Sequence, residues 1–387
     1  MRTKFPRVLL VLGWYDYRLH RGIEKYAQEH SWRLSEDLAR EKVIPWGWDG
    51  EGILAWLGAG EDLADFVVHA QKPTVDFSFR RPQLNFARVL EDTAETARLV
   101  TEHFLSRGFR NFLFYSDAPN WIYQERGTAF MGALEQAGRR AEWLRWHQSP
   151  AFRTDRKAWK RKREWLAKEI REAPKPVGLF AASDGLALEV LESCETIGVT
   201  VPEEVAIVGA GNNLLAVDAM HTPISSVDVN LETTGYRGAA LLDELMRRPS
   251  RKPPLPLLRV PPFRLVVRKS SDLVAVSHPG LARSLRFMWD HCHEPIGVGD
   301  LATAASMSLR SFHAAFVENL GRPPGAELHR LRIERAKRLL LDSDDKLERV
   351  AEMSGYQSLN SFWVAFKQAT GMSPKQFRKE GSRSLDG

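Results

Sequence analysis

Five consecutive residues, Asp290-His291-Cys292-His293-Glu294, all carry side chains of metal-ligating type, and Gly209-Ala210-Gly211-Asn212 has glycines spaced as at the start of a phosphate loop. Neither develops into a site. Neighbouring positions on a helix point apart, and no second cluster completes four ligands, so 290–294 reads as a helix end. The glycine segment lacks the third glycine and the opening helix that give a nucleotide loop its meaning. The two cysteines, Cys194 and Cys292, lie far apart, which opposes a disulfide framework and suits a reducing compartment. No nucleophile, base and oxyanion set is legible either. The chain is therefore read as a non-enzyme, with no catalytic residue, metal or cofactor assigned.

What remains is a spacing that builds a binding surface. Between Leu347 and Arg378, the apolar residues Val350, Ala351, Met353, Phe362, Phe366 and Phe377 recur at helical intervals, interrupted at Gly355 and Ser358. That is a helix, a turn and a second helix. A single such hairpin is common in globular proteins, but here it occurs twice. In the stretch Leu301 to Pro324, Leu301-Ala302 matches Val350-Ala351, Phe312 and Phe316 match Phe362 and Phe366, and Gly321-Arg322-Pro323-Pro324 matches Gly371-Met372-Ser373-Pro374. A longer amphipathic helix through Arg332, Ile333, Ala336, Leu339 and Leu340 joins the two, after the breaker Pro323 to Gly325. Two second helices on one spacer can enter successive major-groove segments of duplex DNA.

This duplicated pattern resembles the DNA-binding domain of the AraC (arabinose regulator) family over about a hundred residues. The resemblance implies a first reading helix from Ser308 to Asn319, with Ser308, Arg310, Ser311 and His313 toward DNA and Phe312 and Phe316 inward. The second, Leu359 to Thr370, presents Leu359, Asn360, Trp363, Val364 and Lys367. Ala314 and Val364 stand where relatives often carry a long polar side chain, so readout leans on Arg310, His313 and Asn360. Ser306 stands where the second unit has its turn glycine, Gly355, and the first unit is one residue shorter between its matched apolar positions.

A length of 387 residues suits two or three domains, and 43% hydrophobic with 27% charged residues is ordinary for globular protein. The net charge of +6 permits a nucleic-acid partner without locating it, since 16 basic and 13 acidic residues lie from Leu281 onward, against 39 and 36 before it. The start, MRTKFPRVLLVLGWYDY, has no small-residue cleavage pattern and reads as a strand. No apolar stretch approaches the roughly 20 residues that span a bilayer. A cytoplasmic protein without a membrane partner is expected.

From Arg7 onward, apolar runs alternate with amphipathic stretches, as in a parallel sheet covered by helices. Strands are expected at Val8–Leu12, Gly52–Trp56, Pro73–Phe77, Asn111–Tyr115, Val177–Ala182, Val205–Val208 and Arg264–Val267, and helices at Arg18–Glu29, Asp92–Arg107, Thr128–Gln136, Lys157–Ala173 and Leu186–Ile197. The basic run Lys157 to Arg163 reads as the solvated face of a helix. Arg247 to Pro262 reads as a proline-rich basic connector and Leu281 to Cys292 as a helix.

Several of these pieces carry further wording: Glu91-Asp92 before a helix that ends His103 to Arg110, Glu125-Arg126-Gly127-Thr128-Ala129-Phe130, Phe180 to Asp184, and Gly198 to Gly209. Over most of residues 6–270 they resemble the ligand-binding domain of the lactose-repressor (LacI) family, a two-lobed periplasmic-binding-protein fold with a small ligand between its lobes. That family's N-terminal DNA-binding headpiece is expected to be absent, because the first strand begins almost at Met1. Such a domain fused to an AraC-type C-terminus resembles the family of xylose operon regulators.

By the same resemblance, Asp92, Arg126 and Asp184 occupy positions that bind ligand hydroxyls, although an Asp before a helix is also an ordinary N-cap. A fourth family position, acidic in relatives, is Gly211 here, followed by Asn212 and Asn213; Asn212 joins the candidate set and the identity of the sugar stays open. Trp14 and Tyr15 after the first strand are the candidates for stacking on a sugar face, and Trp46 and Trp48 are expected near the same cleft.

The expectation is thus an α/β two-lobed periplasmic-binding-protein-like domain (residues 1–272), a linker (273–280) and an all-α domain with two helix-turn-helix units (281–387). It would regulate transcription under a small ligand, a sugar such as xylose, as a homodimer on promoter DNA, with RNA polymerase as a further partner. The rival readings are a soluble sugar-binding protein feeding a transporter and a DNA-repair protein with an AraC-type domain. The latter requires a reactive cysteine cluster.

Overall fold

Strands such as β1 (Arg7–Leu12) and β8 (Val177–Ala181) are apolar at nearly every position and buried on both faces. A parallel sheet with helices on each side satisfies that pattern. The computed structural model, which describes residues 5–36, 43–58, 61–217, 221–247, 255–273, 278–343 and 345–379, contains two such sheets. By contacts the chain divides into two units, Met1–Asp272 and Leu273–Gly387. The expected linker includes residues 274–277, which lie outside the described residues, as do 248–254 of the proline-rich connector.

The first sheet runs β11 (Leu257–Val260), β5 (Ala87–Glu91), β4 (Thr74–Asp76), β3 (Gly52–Trp56), β1 and β2 (Arg33–Ser35). The second runs β12 (Arg264–Val266), β10 (Ser225–Asp228), β9 (Val205–Ala210), β8, β6 (Asn111–Ser116) and β7 (Glu142–Arg145). Every pairing is parallel except β10 with β12. The chain passes between lobes three times: after β5, between β10 and the helix at Leu231–Arg247, and between β11 and β12. That helix returns to the first lobe, packing on α1 (Tyr17–Glu29) and on β3 to β5.

Five strands, β2, β5, β7, β10 and β11, escape a reading based on apolar runs. β10 escapes because Ser225 and Ser226 are fully buried, their hydroxyls donating to the Arg268 carbonyl and to Asp184, while the Ser225 N–H donates to Ser270 Oγ. β11 lies inside the stretch read as a connector. The helix expected from Thr128 begins at Trp121, where the Asn120 side chain caps the Ile122 N–H at 3.2 Å.

The second unit has two small cores. Leu281, Leu285, Met288, Leu301, Phe312 and Phe316 form one, and Val350, Ala351, Phe362 and Phe366 belong to the other. The helix Pro324–Asp342 serves both, giving Leu328 and Leu331 to the first and Ile333, Ala336 and Leu340 to the second. It is the spacer between the two helix-turn-helix units. Arg332, on the same helix, donates to the Cys292 and Glu294 carbonyls, so 290–294 is tied down as a helix end.

Candidate functional site

In parallel sheets, ligands gather at the carboxyl ends of strands. In the first unit those ends enclose a cavity of about 450 Å³, a size suited to a small organic molecule. Trp14 follows β1, Trp56 ends β3, Glu91 ends β5, Arg126 lies on α4 (Trp121–Gln136, counting helices from α1 through Asp62–Ala70 and Thr93–Ser106), Asp184 follows β8, and Gly211 follows β9; all six line it.

Its two most buried charged side chains are held differently. Arg126 donates to both carboxylate oxygens of Glu91, at 3.1 and 2.5 Å, and to the Ala182 carbonyl at 2.6 Å. Burial alone would lower its pKa, but the Glu91 carboxylate outweighs burial and holds the guanidinium charged. Asp184 accepts from the Ser226 hydroxyl at 2.5 Å and the Asn213 N–H at 2.7 Å. Burial pushes its pKa above the usual carboxylate range, and these donors only partly offset the shift. A Cβ on Gly209 would lie 2.5 Å from Asp184 Oδ1, and one on Gly211, where φ is +129°, 3.0 Å from Oδ2. The loop that lacks the family's acidic residue is therefore the loop that makes room for Asp184.

A further contact spans the lobes. Arg18, paired with Asp16, donates to the Gly211 carbonyl at 2.7 Å.

Arg126, Asp184 and Trp14 thus share one cavity, and the other three expected ligand residues are placed differently. Asp92 is the N-cap of the helix Thr93–Ser106, accepting from Glu95 N–H at 3.1 Å, while its neighbour Glu91 faces the cavity. Asn212, at φ 49°, spends its side chain on Asp228 and Arg268, at 3.2 and 3.0 Å. The Tyr15 hydroxyl lies 3.1 Å from His20 Nδ1, and Tyr15 is not a wall residue. Trp46 packs edge-on to Phe66 and Trp48 against the same core, not on the cavity. Sequence reasoning missed Glu91, Arg18, Arg80 and Tyr123, which also line the cavity. For Glu91 the signal was strand parity: adjacent residues of a strand face opposite ways, and β5 went unrecognised.

The second unit repeats one design. Ser308 caps the helix Leu309–Leu320 through the Ser311 N–H at 3.2 Å, and Ser358 caps Leu359–Thr370 through the Ser361 N–H at 3.1 Å. Gly321 and Gly371 end them with φ of 69° and 76°. The turns match as well: Ser306 takes a left-handed φ of 58° where the second unit uses Gly355 at 81°. Phe312, Phe316, Phe362 and Phe366 are fully buried. Ser308, Arg310, Ser311 and His313 on one helix, and Leu359, Asn360, Trp363 and Lys367 on the other, are all exposed. Lys367 Nζ lies 5.1 Å from the centre of the Trp363 ring.

Residues 101–271 match the periplasmic binding protein-like domain family, and residues 301–380 match a helix-turn-helix domain family. The chain is 26% identical over 400 residues to the xylose operon regulatory protein of Escherichia coli (strain K12), covering 100% of both chains. It is 25% identical over 384 residues to that of Haemophilus influenzae, covering 94% of this chain and 95% of the relative. Among solved structures, the xylose-binding transcription activator XylR superposes with a TM-score of 0.71 at 24% identity, covering 98% of this chain and 99% of the other. The chain therefore shares its fold and its order of domains with these regulators from end to end. No helix among the described residues is long and apolar enough to cross a membrane.

Proposed function

We propose that this protein, built throughout like the xylose operon regulators, is a cytoplasmic transcriptional regulator whose first unit binds a sugar and whose second unit reads promoter DNA. The carrying observation is the pair of matching helix-turn-helix units, each with its own aromatic core, mounted on the one helix Pro324–Asp342. A single rigid spacer lets one chain address two successive major-groove segments, with Arg310, His313 and Asn360 the polar side chains nearest to base-reading positions.

The sugar is held in the cavity at the strand ends. Arg126 and Glu91 offer charged hydrogen bonds to hydroxyls, Asp184 a carboxyl group, and Trp14 with Trp56 an aromatic wall, the two rings lying 4.6 Å apart. Xylose leads the candidates because the full-length relatives carry it in their names. Asp92 and Asn212 act from behind the wall, as helix cap and loop brace. Because the lobes meet at Arg18 and Gly211, a ligand that binds the closed arrangement more tightly shifts the population toward it. Two subunits then present their reading helices in a different arrangement, and RNA polymerase reads the result. The protein acts by binding and not as an enzyme. The Cys194 thiol, pushed up to about 12 by burial, is the opposite of the exposed, low-pKa thiolate that a cysteine-based repair reaction needs.

The test is a thermal-shift screen of the full chain against pentoses, hexoses and uronic acids, followed by titration of promoter DNA with and without the best ligand. A sugar at a hundred times its Kd stabilises the unit by ~2.7 kcal/mol. The proposal fails if no sugar shifts the transition, or if the bound sugar leaves DNA affinity unchanged.

A further inference from the structure

Away from the cavity wall, α1 and the end of β2 bring His20, Glu24 and Glu36 together. His20 and Glu24 are one helical turn apart, and Glu36 directly follows the strand Arg33–Ser35. One nitrogen and two carboxylate oxygens lie within 4.8 Å of one another. His20 Nε2 is 3.8 Å from Glu24 Oε1 and 3.4 Å from Glu36 Oε1.

Three observations separate this cluster from a surface ion pair. The His20 side chain is nine-tenths buried, and its Nε2 has no hydrogen-bond partner although both carboxylates face it. A protonated imidazole pairing with carboxylate would close to ~2.7–2.9 Å. Both observed separations are longer: the 3.4 Å to Glu36 Oε1 matches the ~3.4 Å edge between ligands held ~2.0–2.2 Å from one tetrahedral zinc ion, and the 3.8 Å to Glu24 Oε1 lies just outside it. Finally, Tyr15 Oη lies 3.1 Å from Nδ1. With Nδ1–H donating to that oxygen, the lone pair of Nε2 points at the carboxylates, which is the tautomer a metal requires and the outer-shell arrangement that orients a ligating histidine.

We propose that His20, Glu24 and Glu36 form a site for one divalent transition cation, Zn²⁺ first among them, with water as the fourth ligand and Tyr15 orienting the imidazole. One nitrogen and two carboxylates suit Zn²⁺ and its neighbours and disfavour Mg²⁺, which demands near-octahedral oxygen coordination. Bound there, the ion clamps the end of β2 onto α1.

The full-length protein, stripped with a chelator, is titrated with Zn²⁺ by calorimetry beside His20→Ala, Glu24→Gln, Glu36→Gln and Tyr15→Phe. The expected result is one equivalent bound by the wild type with no competition from Mg²⁺. Removing an outer-shell partner costs about 10–100-fold in affinity, so Tyr15→Phe should fall in that range and the ligand variants should lose at least as much. Metal-free thermal midpoints are recorded throughout. If His20→Ala fails to fold, the partly exposed Glu24 and Glu36 variants decide the outcome. The proposal is overturned if the wild type binds no stoichiometric Zn²⁺, or if Glu24→Gln and Glu36→Gln bind it as tightly as the wild type.

Discussion

Replacing Arg126 by alanine tests whether the guanidinium in the cavity wall also holds the fold. Its side chain is 7% exposed and that of Glu91 9%, so the variant leaves a buried carboxylate without its counter-charge. Among the described residues, Glu91 keeps the Thr96 hydroxyl as a donor at 2.9 Å. Removing one partner of a buried ion pair costs about 3–5 kcal/mol. For a unit of 272 residues, an unfolding entropy of about 2.1 cal/mol/K per residue converts that into a loss of roughly 5–9 °C in Tm. Tryptophan fluorescence is the fitting readout, because ten of the twelve tryptophans lie in this unit. The double variant Glu91→Leu with Arg126→Met, which removes both charges at similar volume, should recover most of the loss, while sugar binding stays impaired. An Arg126→Ala midpoint within about a degree of wild type would refute the buried-pair argument, and so would a double variant no more stable than the single one.

Acidity provides a second test: burial pushes the Asp76 carboxyl up to about 6, against N–H bonds from Leu57 and Ser78. The folded pKa lies above the ordinary 3.8, so the fold disfavours the carboxylate; the penalty is complete above about pH 6, gone below about pH 4, and at most on the order of 3 kcal/mol. Stability of the first unit should therefore gain this contribution as pH falls from 7 toward 4, and Asp76→Asn should remove it from a series of denaturant midpoints against pH. In the second unit, a Cβ at Gly355 would stand 2.3 Å from the Cys292 carbonyl at a φ of +81°, so Gly355→Ala should lower the helical unit's Tm, whereas alanine at exposed Gly371, with open space around it, should cost less. On DNA, Arg310→Ala should lose ~1–3 kcal/mol on the promoter and little on random sequence, while Lys367→Ala should weaken both about equally and flatten the salt slope by about one unit; equal losses for Arg310→Ala on both DNAs would make it a phosphate contact.

The sequence alone carried the second unit almost completely, for a physical reason. Helix caps, turns and the 3.6-residue apolar period act over a few positions, so Ser308, Ser358, Gly371 and the four phenylalanines announce their roles locally. The parallel sheets were legible wherever a strand was apolar on both faces, as in β1 and β8, and illegible in β10, whose serines are buried only because partners elsewhere in the fold accept them. The cavity is a tertiary product for the same reason. Arg126 meets Glu91 across 35 residues, Asp184 meets Ser226 across 42, and Arg18 reaches Gly211 across 193. Which of Glu91 and Asp92 faces inward depended on strand parity, and whether His20 stands near a second carboxylate depended on where β2 ends beside α1. Polar groups that meet over such separations leave no periodic trace in the chain, because their positions follow from strand order and lobe packing; only folding brought them together.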